Sequence, residues 1–228
     1  MSKKENRKGS PIGLVTLTNP SSPIAEQYRT IRTNLQFAST LDQKIKSLVV
    51  TSAGPGEGKS TTASNLAVVF ANSGSRVLLV GADLRKPTIF KVFNLLNTTG
   101  LSNLLSTDQS LASFVQPTTI ENLSILTSGP KPPNPSELLN SQKMVQVIEE
   151  AKRQYDIVIF DMPPVVAVTD AQIVASKVDG TLLVVREKIT KKESLTKANE
   201  LLKLVNAHVV GVVYNGAEQD KDQGYYYY

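Results

Sequence analysis

The chain has 228 residues, of which 40% are hydrophobic, and its 25 basic against 20 acidic side chains give a formal net charge of +5. This size suits a single domain with one sizeable core. The absence of cysteine excludes disulfides and thiolate metal sites, and no apolar run approaches the ~20 residues of a membrane-spanning helix. No signal-peptide pattern opens the sequence, so we expect a cytoplasmic protein. The charge excess is mild, and nucleic acid is not an expected partner.

The first predicted elements are an arm and a helix. Residues 1–21 are rich in Ser, Pro, Gly and basic side chains and are expected to form a flexible arm. A helix is predicted to begin at Ser22-Pro23, because serine is a common N-cap and proline suits the first turn. One apolar stripe with helical spacing supports it, comprising Ile24, Tyr28, Ile31 and Leu35. The domain is expected to span 22–216 and to end in a flexible tail, 217–228.

Beyond this helix, short apolar runs alternate with helical patterns. The runs are mostly continuous, as in buried parallel strands, and lie at 48–52, 77–82, 123–127, 157–161, 181–185 and 209–214. Helical patterns lie at about 60–73, 136–153, 169–178 and 190–206. Strands separated by helices indicate a single α/β domain with a mostly parallel central sheet, flanked by helices and joined by right-handed crossovers.

The region from 48 to 62 carries the most informative motif. A β-branched apolar run stops at a glycine-rich loop that ends in Gly58-Lys59-Ser60 and leads into a helical pattern, the context of a phosphate-binding P-loop. Glycines let backbone N–H groups curl around phosphate oxygens, and the helix N-terminus favours negative charge. Lys59 would reach the outer phosphates, and the Ser60 hydroxyl suits Mg²⁺. The expected ATP-binding residues are Gly54, Pro55, Gly56, Glu57, Gly58, Lys59, Ser60 and Thr61; Ala53 stands where the motif begins with glycine.

Two acids at the ends of other predicted strands are candidates for a magnesium site. Asp161 follows the buried run 157–160 and precedes a diproline turn, and Asp83 follows the run 77–82. Because Mg²⁺ prefers oxygen ligands and keeps several waters, these carboxylates, the Ser60 hydroxyl and the phosphates would suffice. Asn215, after the last strand, is a candidate adenine contact by analogy with P-loop ATPases, and an ordinary turn residue is the open alternative.

Together these segments resemble the bacterial tyrosine kinases encoded with capsule and exopolysaccharide genes. The similarity runs from about Ser22 to the last tyrosine and is greatest to the separate cytoplasmic kinase subunit, whose activator is a different membrane polypeptide. The matching segments are the Walker A loop 53–60, a second Walker-like segment 78–85, the Walker B segment 157–164, the Glu26-x-x-Arg29-x-x-Arg32 helix, the stretch 129–139 and the terminal tyrosines.

The resemblance implies an ATP-dependent protein-tyrosine kinase on the P-loop NTPase fold. It implies that Lys59, Asp83, Arg85 and Asp161 are catalytic and that Ser60, Asp83 and Asp161 hold the metal. It also implies homo-oligomeric rings formed through Glu26, Arg29 and Arg32, with autophosphorylation in trans of Tyr225, Tyr226, Tyr227 and Tyr228. The implied partners are a membrane activator that recruits the chain to the inner face of the membrane, a tyrosine phosphatase and other protein substrates.

One position departs from the family pattern. The family carries Asp-x-Asp-x-Arg after the second Walker-type strand, whereas this chain reads Gly81-Ala82-Asp83-Leu84-Arg85. A carboxylate that accepts the proton of a tyrosine, whose pKa is near 10, contributes ~10²–10⁴-fold, and glycine cannot act in this way. We therefore expect intact binding of Mg·ATP with slow phosphoryl transfer.

Three alternatives remain open from the sequence. A catalytically weak ATP-binding regulator would share the fold and ligand, with Gly81 marking lost chemistry. A nucleotide-switch ATPase of the ParA/MinD kind would carry a lysine where this chain has Gly54, and would not end in a tyrosine cluster. A small-molecule kinase is the third.

Overall fold

A computed structural model describes residues 13–39 and 44–217. Residues 1–12 of the predicted arm and residues 218–228 of the predicted tail lie outside the described residues. The tyrosine cluster 225–228 belongs to this part of the tail.

A seven-stranded sheet forms the centre of the protein. Its strands are β1 (Ser47–Ser52), β2 (Val77–Gly81), β3 (Gln116–Pro117), β4 (Leu123–Leu126), β5 (Ile157–Asp161), β6 (Gly180–Arg186) and β7 (Val209–Asn215). Their order is β3-β4-β2-β5-β1-β6-β7, and all pairs are parallel except β3–β4. The predicted α/β architecture is confirmed. Strand β3 was not predicted, because two residues that include a proline give no hydrophobic pattern.

The helices cover both faces of the sheet. They are α1 (Val15–Thr18), α2 (Pro23–Ala38), α3 (Lys59–Ala71), α4 (Ile89–Val92), α5 (Leu101–Leu105), α6 (Pro135–Asn140), α7 (Gln142–Gln154), α8 (Asp170–Ala175) and α9 (Lys192–Leu204), with a 3₁₀ turn at Leu111–Ser113. Apolar side chains of α1–α4 form one core layer with β1, β2, β4 and β5, and those of α5–α9 form a second layer on the opposite face. The active-site candidates lie at the carboxyl edge between these layers.

Two helical predictions need correction. The single helix predicted over 136–153 is two helices, because Ser141 adopts an extended backbone and its hydroxyl caps α7 by accepting a hydrogen bond from Met144 N at 3.2 Å. Helix α2 begins at Pro23 with Ser22 as its N-cap, as predicted. In its stripe, however, Ile24 is 49% exposed, because the fully buried Ala25 takes the inward position of the first turn.

Part of the predicted flexible arm is packed against α3. Leu14 and Thr16 are 2% and 3% exposed. The amide of Asn65 on α3 holds this segment: its oxygen accepts hydrogen bonds from Thr16 N and Thr16 Oγ1 at 3.0 and 2.8 Å, and its nitrogen donates to Gly13 O at 2.5 Å. The packed structure therefore begins by residue 13, because a buried asparagine supplies hydrogen-bond partners that the composition of the arm did not reveal.

Candidate active site

Three adjacent parallel strands, β1, β5 and β2, have their carboxyl ends side by side at one edge of the sheet. Asp161 at the end of β5 is paired in register with Val50 of β1 on one side and with Gly81 of β2 on the other. The glycine-rich loop leaves β1 at this edge and ends where α3 begins, at Lys59. Sequence motifs that are far apart in the chain are thus brought together by the strand order.

The loop depends on two glycines with left-handed backbone. Gly56 has φ +76° and Gly58, the N-cap of α3, has φ +97°, and this region favours glycine. A Cβ on Gly58 would lie 2.0 Å from Nδ2 of Asn215, whereas a Cβ on Gly56 would meet nothing within 4 Å. Gly58 is therefore required for both its conformation and its lack of a side chain.

The loop is held in place from the side of β6 and β7. Asn215 Nδ2 donates to the carbonyl of Glu57 at 3.0 Å, and Arg186 Nη1 donates to the carbonyl of Gly56 at 2.9 Å. The Thr190 hydroxyl donates to Oε1 of Glu57, whose side chain is 3% exposed, at 2.7 Å. Asn215 therefore lies directly against the loop. Sequence reasoning missed Arg186 and Thr190, since neither belongs to a recognisable motif.

Lys59 lies between the two predicted acids. Its Nζ is 3.1 Å from Asp83 Oδ2, 3.7 Å from Asp161 Oδ1 and 3.2 Å from the Ser60 hydroxyl. Burial opposes the charged form of Lys59, but the charges of Asp161 and Asp83 outweigh burial and raise the pKa of the ammonium above its usual value. Lys59 is thus held protonated at the start of α3, where a phosphate would be most strongly attracted.

Asp161 is a buried carboxylate whose neighbouring ammonium, that of Lys59, lies 3.7 Å away, beyond ordinary hydrogen-bond distance. Its side chain is 1% exposed, and neither oxygen has a hydrogen-bond partner among residues 13–39 and 44–217. Burial raises the pKa of Asp161, and Lys59 opposes this rise only in part. A buried charge with unfilled lone pairs is unfavourable unless a cation or donor joins it. The all-oxygen set of Ser60, Asp83 and Asp161 fits Mg²⁺, so these residues would hold the metal that the motifs imply.

Asp83 is oriented by the backbone that follows it. Its Oδ1 accepts hydrogen bonds from Arg85 N at 3.2 Å and Lys86 N at 2.9 Å, which leaves Oδ2 directed at Lys59.

The side chain of Arg85, predicted to be catalytic, points away from this group of residues. Its guanidinium donates to both oxygens of Asp170, at 2.8 and 3.0 Å, and to the Ser136 hydroxyl at 2.9 Å. The structure therefore brings Lys59, Ser60, Asp83 and Asp161 together and places the Arg85 side chain outside that group.

Gly81, the departure from the family pattern, lies beside Asp161 in register. Paired residues of a parallel sheet project to the same face, so a side chain at position 81 would share the face of Asp161. A Cβ on Gly81 would lie 3.3 Å from Ser128 N and 3.5 Å from Ile89 Cβ, a tight but not prohibitive fit.

The predicted oligomerisation residues lie on α2. Glu26 and Arg29 form an ion pair one turn apart, and Arg29 also donates to the carbonyl of Pro20. Arg32 Nη1 donates to the carbonyl of Val69, near the end of α3, at 3.2 Å. Its buried Nε has no hydrogen-bond partner in the described part of the chain.

A glycine-rich loop between a central strand and a helix, with strand-end acids facing its lysine, defines a P-loop NTPase fold. The chain matches the AAA domain family model over residues 45–209. It is 49% identical to tyrosine-protein kinase YwqD of Bacillus subtilis over 230 residues, covering 100% of this chain and 96% of YwqD. It is 41% identical to the putative tyrosine-protein kinase CapB of Staphylococcus aureus, covering 97% of both chains. The crystal structure of the chimerical protein CapA2B2 superimposes with a TM-score of 0.86 at 42% identity, covering 91% of each chain.

The chain therefore belongs to the bacterial tyrosine kinase family, as its motifs predicted. Within the described ranges, no helix has the length and apolar character needed to cross a membrane.

Proposed function

We propose that the chain binds Mg·ATP and transfers the γ-phosphoryl group to tyrosines of a second copy, and that it regulates capsule or exopolysaccharide production. The observation that carries this proposal is the position of Lys59 between two buried acids at the first residue of the P-loop helix. Such a cluster has an excess of negative charge that suits a metal, next to a lysine and helix N-terminus that suit phosphate.

Each residue of the site has a separate task in the proposed reaction. The backbone of 54–60 and the ammonium of Lys59 would bind and orient the β- and γ-phosphates. Ser60, Asp83 and Asp161 would hold Mg²⁺, which neutralises phosphate charge when bound. The bond from the γ-phosphorus to the β–γ bridging oxygen breaks as the tyrosine oxygen forms a new bond to that phosphorus, giving ADP and phosphotyrosine. Adenine contacts would include Asn215, which lies against the loop.

Removal of the phenolic proton from tyrosine is the step that Gly81 should slow. The position where the family has an aspartate is Gly81, on the face of the sheet that carries Asp161. Without an acceptor there, the proton must leave to water or to Asp83, and positioning of the phosphates supplies most of the remaining catalysis. We therefore propose slow transfer with intact nucleotide binding.

The acceptors and the assembly follow from the family. Tyr225, Tyr226, Tyr227 and Tyr228 are the proposed phosphoacceptors, reached in trans within a ring formed through Glu26, Arg29 and Arg32. Glu26 and Arg29 support this role, because their side chains are 60% and 37% exposed on α2 and are therefore accessible to a second subunit. Each phosphate would add about −1.5 to −2 charges, and repulsion between clustered phosphates would weaken the ring. A membrane activator would recruit the chain to the inner face of the membrane, and a phosphatase would reset the tail.

The decisive experiment incubates the purified chain with Mg·ATP, with and without the cytoplasmic segment of its activator, and maps phosphate by mass spectrometry. We expect phosphotyrosine within 225–228, increased by the activator and absent from a Lys59→Met variant. Nucleotide binding by calorimetry is measured in parallel. Failure to bind Mg·ATP would refute the proposal entirely.

Gly81 favours one second candidate, an ATP-binding regulator with little chemistry of its own. It would bind Mg·ATP and the activator but label no tyrosine even when the activator is present. ATP hydrolysis without tail labelling would instead indicate a nucleotide switch.

A further inference from the structure

The carboxylate of Asp170 is buried beside the site and takes part in no step described above. It belongs to the first turn of α8, its side chain is 0% exposed, and it binds Arg85 through both oxygens at 2.8 and 3.0 Å. A bidentate pair of this kind fixes the plane of the guanidinium as well as its position. Arg85 is therefore immobilised, although 37% of its side chain is exposed.

Ser136 completes the arrangement from α6. Its hydroxyl donates to Asp170 Oδ1 at 2.7 Å and accepts a hydrogen bond from Arg85 Nη2 at 2.9 Å. The three side chains form a closed ring of hydrogen bonds that joins α6 and α8 to the segment after β2. Hydrogen-bonded networks of this kind hold a single geometry when all their members are satisfied.

A continuous path of contacts leads from this ring to the metal ligands. The backbone N–H groups of Arg85 and Lys86 donate to Asp83 Oδ1 at 3.2 and 2.9 Å. Asp83 Oδ2 is thereby turned toward Lys59 Nζ, 3.1 Å away. Because the guanidinium is anchored, the peptide groups of residues 85 and 86 are held in the orientation that places this carboxylate.

We propose that Asp170 and Ser136 are positioning residues, which act through Arg85 and the backbone of 85–86 to aim Asp83 at the metal. The proposal rests on the proposed binding of Mg·nucleotide at this site. Arg85 then acts as the link between Asp170 and the metal ligand, and its guanidinium does not bind phosphate.

Measurement of nucleotide affinity with and without metal shows whether Arg85 positions the metal ligand Asp83 or binds phosphate directly. ADP binding to the full chain is measured by calorimetry in Mg²⁺ and in EDTA. In the parent, Mg²⁺ should tighten binding. In Asp170→Asn, the tightening by Mg²⁺ should fall by ~10–100-fold, the usual effect of losing a group that orients a metal ligand, while affinity in EDTA stays unchanged. Ser136→Ala should show the same pattern to a smaller degree.

The control is a second bidentate Arg–Asp pair, at the opposite edge of the sheet. Arg76 binds both oxygens of Asp156, at 2.9 and 3.3 Å, where β2 and β5 begin. Asp156→Asn removes the same charge from a bidentate pair that is about half exposed, and it should leave both affinities unchanged. If Asp170→Asn proves unstable on heating, the test is made with Ser136→Ala, which keeps the ion pair.

Three results would overturn the proposal. The first is a parent-like Mg²⁺ effect in both Asp170→Asn and Ser136→Ala. The second is equal loss of affinity in Mg²⁺ and in EDTA, which would mean that the network acts on the nucleotide directly. The third is an additive Asp170→Asn, Arg85→Met double variant, since residues of one path should be non-additive. A parent that binds no ADP in Mg²⁺ would instead refute the proposed function itself.

Discussion

The ammonium of Lys59 lies 3.7 Å from Asp161, a carboxylate with 1% exposure and no hydrogen-bond partner in the ranges that the structure describes. This geometry lowers the stability of the folded state but suits the binding of a cation. Burial raises the pKa of Asp161 above its ordinary value, so its ionised form lowers the stability of the folded state at neutral pH. The same unfilled oxygens make the site suited to a divalent cation.

Asp161→Asn should therefore stabilise the nucleotide-free protein while abolishing its response to metal. Replacing the buried charge with a neutral isostere should raise Tm, because the burial penalty on the carboxylate is removed. Thermal unfolding with and without Mg·ADP measures both effects. Asp83→Asn is the contrasting control, because Asp83 already accepts hydrogen bonds from Lys59 and two backbone N–H groups, and its neutralisation should lower Tm. A fall in the Tm of nucleotide-free Asp161→Asn would contradict the interpretation.

Gly58→Ala should destabilise the P-loop more than Gly56→Ala. Both positions have positive φ, and the strain of a left-handed non-glycine residue is ~1–2 kcal/mol. At Gly58 the new Cβ would also lie 2.0 Å from the Asn215 amide, whereas at Gly56 it would meet no atom within 4 Å. Urea unfolding and ADP titration should show a larger loss for Gly58→Ala, relieved in part by adding Asn215→Ala. Equal losses for the two glycine variants would show that the contact with Asn215 is unimportant.

The sequence predicted six of the seven described strands, the P-loop and the strand-end acids because each depends on local pattern. Continuous apolar runs mark buried strands, and the motif that ends in Lys59 has a fixed spacing. Helices of four or five residues, such as α4 and α5, were not predicted because they contain barely one turn and therefore no periodicity.

Contacts between distant segments could not be predicted in the same way. The family resemblance implied only that Arg85 is catalytic, and no local pattern indicated that its guanidinium lies against Asp170, 85 residues further along the chain. Thr190 and Glu57 meet across 133 residues through one hydroxyl. Nothing in the local sequence around Asp170 or Thr190 distinguishes a buried hydrogen-bond partner from an ordinary helix-end or loop residue. Asp170 and Thr190 are recognised as hydrogen-bond partners only from the packing of α6, α8 and the loop after β6 in the structure.

Gly81→Asp should increase phosphorylation of the tail by ~10²–10⁴-fold, the typical contribution of a positioned general base. The side chain of the new aspartate would share the face of Asp161. Its Cβ would lie 3.3 Å from Ser128 N, so the backbone just after β4 needs to shift by only a few tenths of an ångström. Phosphate incorporation with labelled ATP measures the gain. Gly81→Asn is the matched control, since it fills the same space without basicity and should give no gain. Equal rates in the parent and in Gly81→Asp would refute the role assigned to the missing acid.

The pair of Arg76 and Asp156 predicts a specific dependence of stability on pH. Hydrogen bonds from the side chain and backbone of Arg76 lower the pKa of Asp156 from 3.8 to about 2, with a smaller contribution from the charge of Lys44. Because the folded-state pKa is depressed, the stabilisation is fully present above the unfolded value of 3.8 and is lost as pH falls toward 2. Both side chains are about half exposed, so solvent screening keeps the effect small. Urea unfolding at pH 7, 4 and 3 should show that Asp156→Asn is slightly less stable than the parent at pH 7 and that the difference shrinks at pH 3. A difference that stays constant over this range would exclude ionisation of Asp156 as its source.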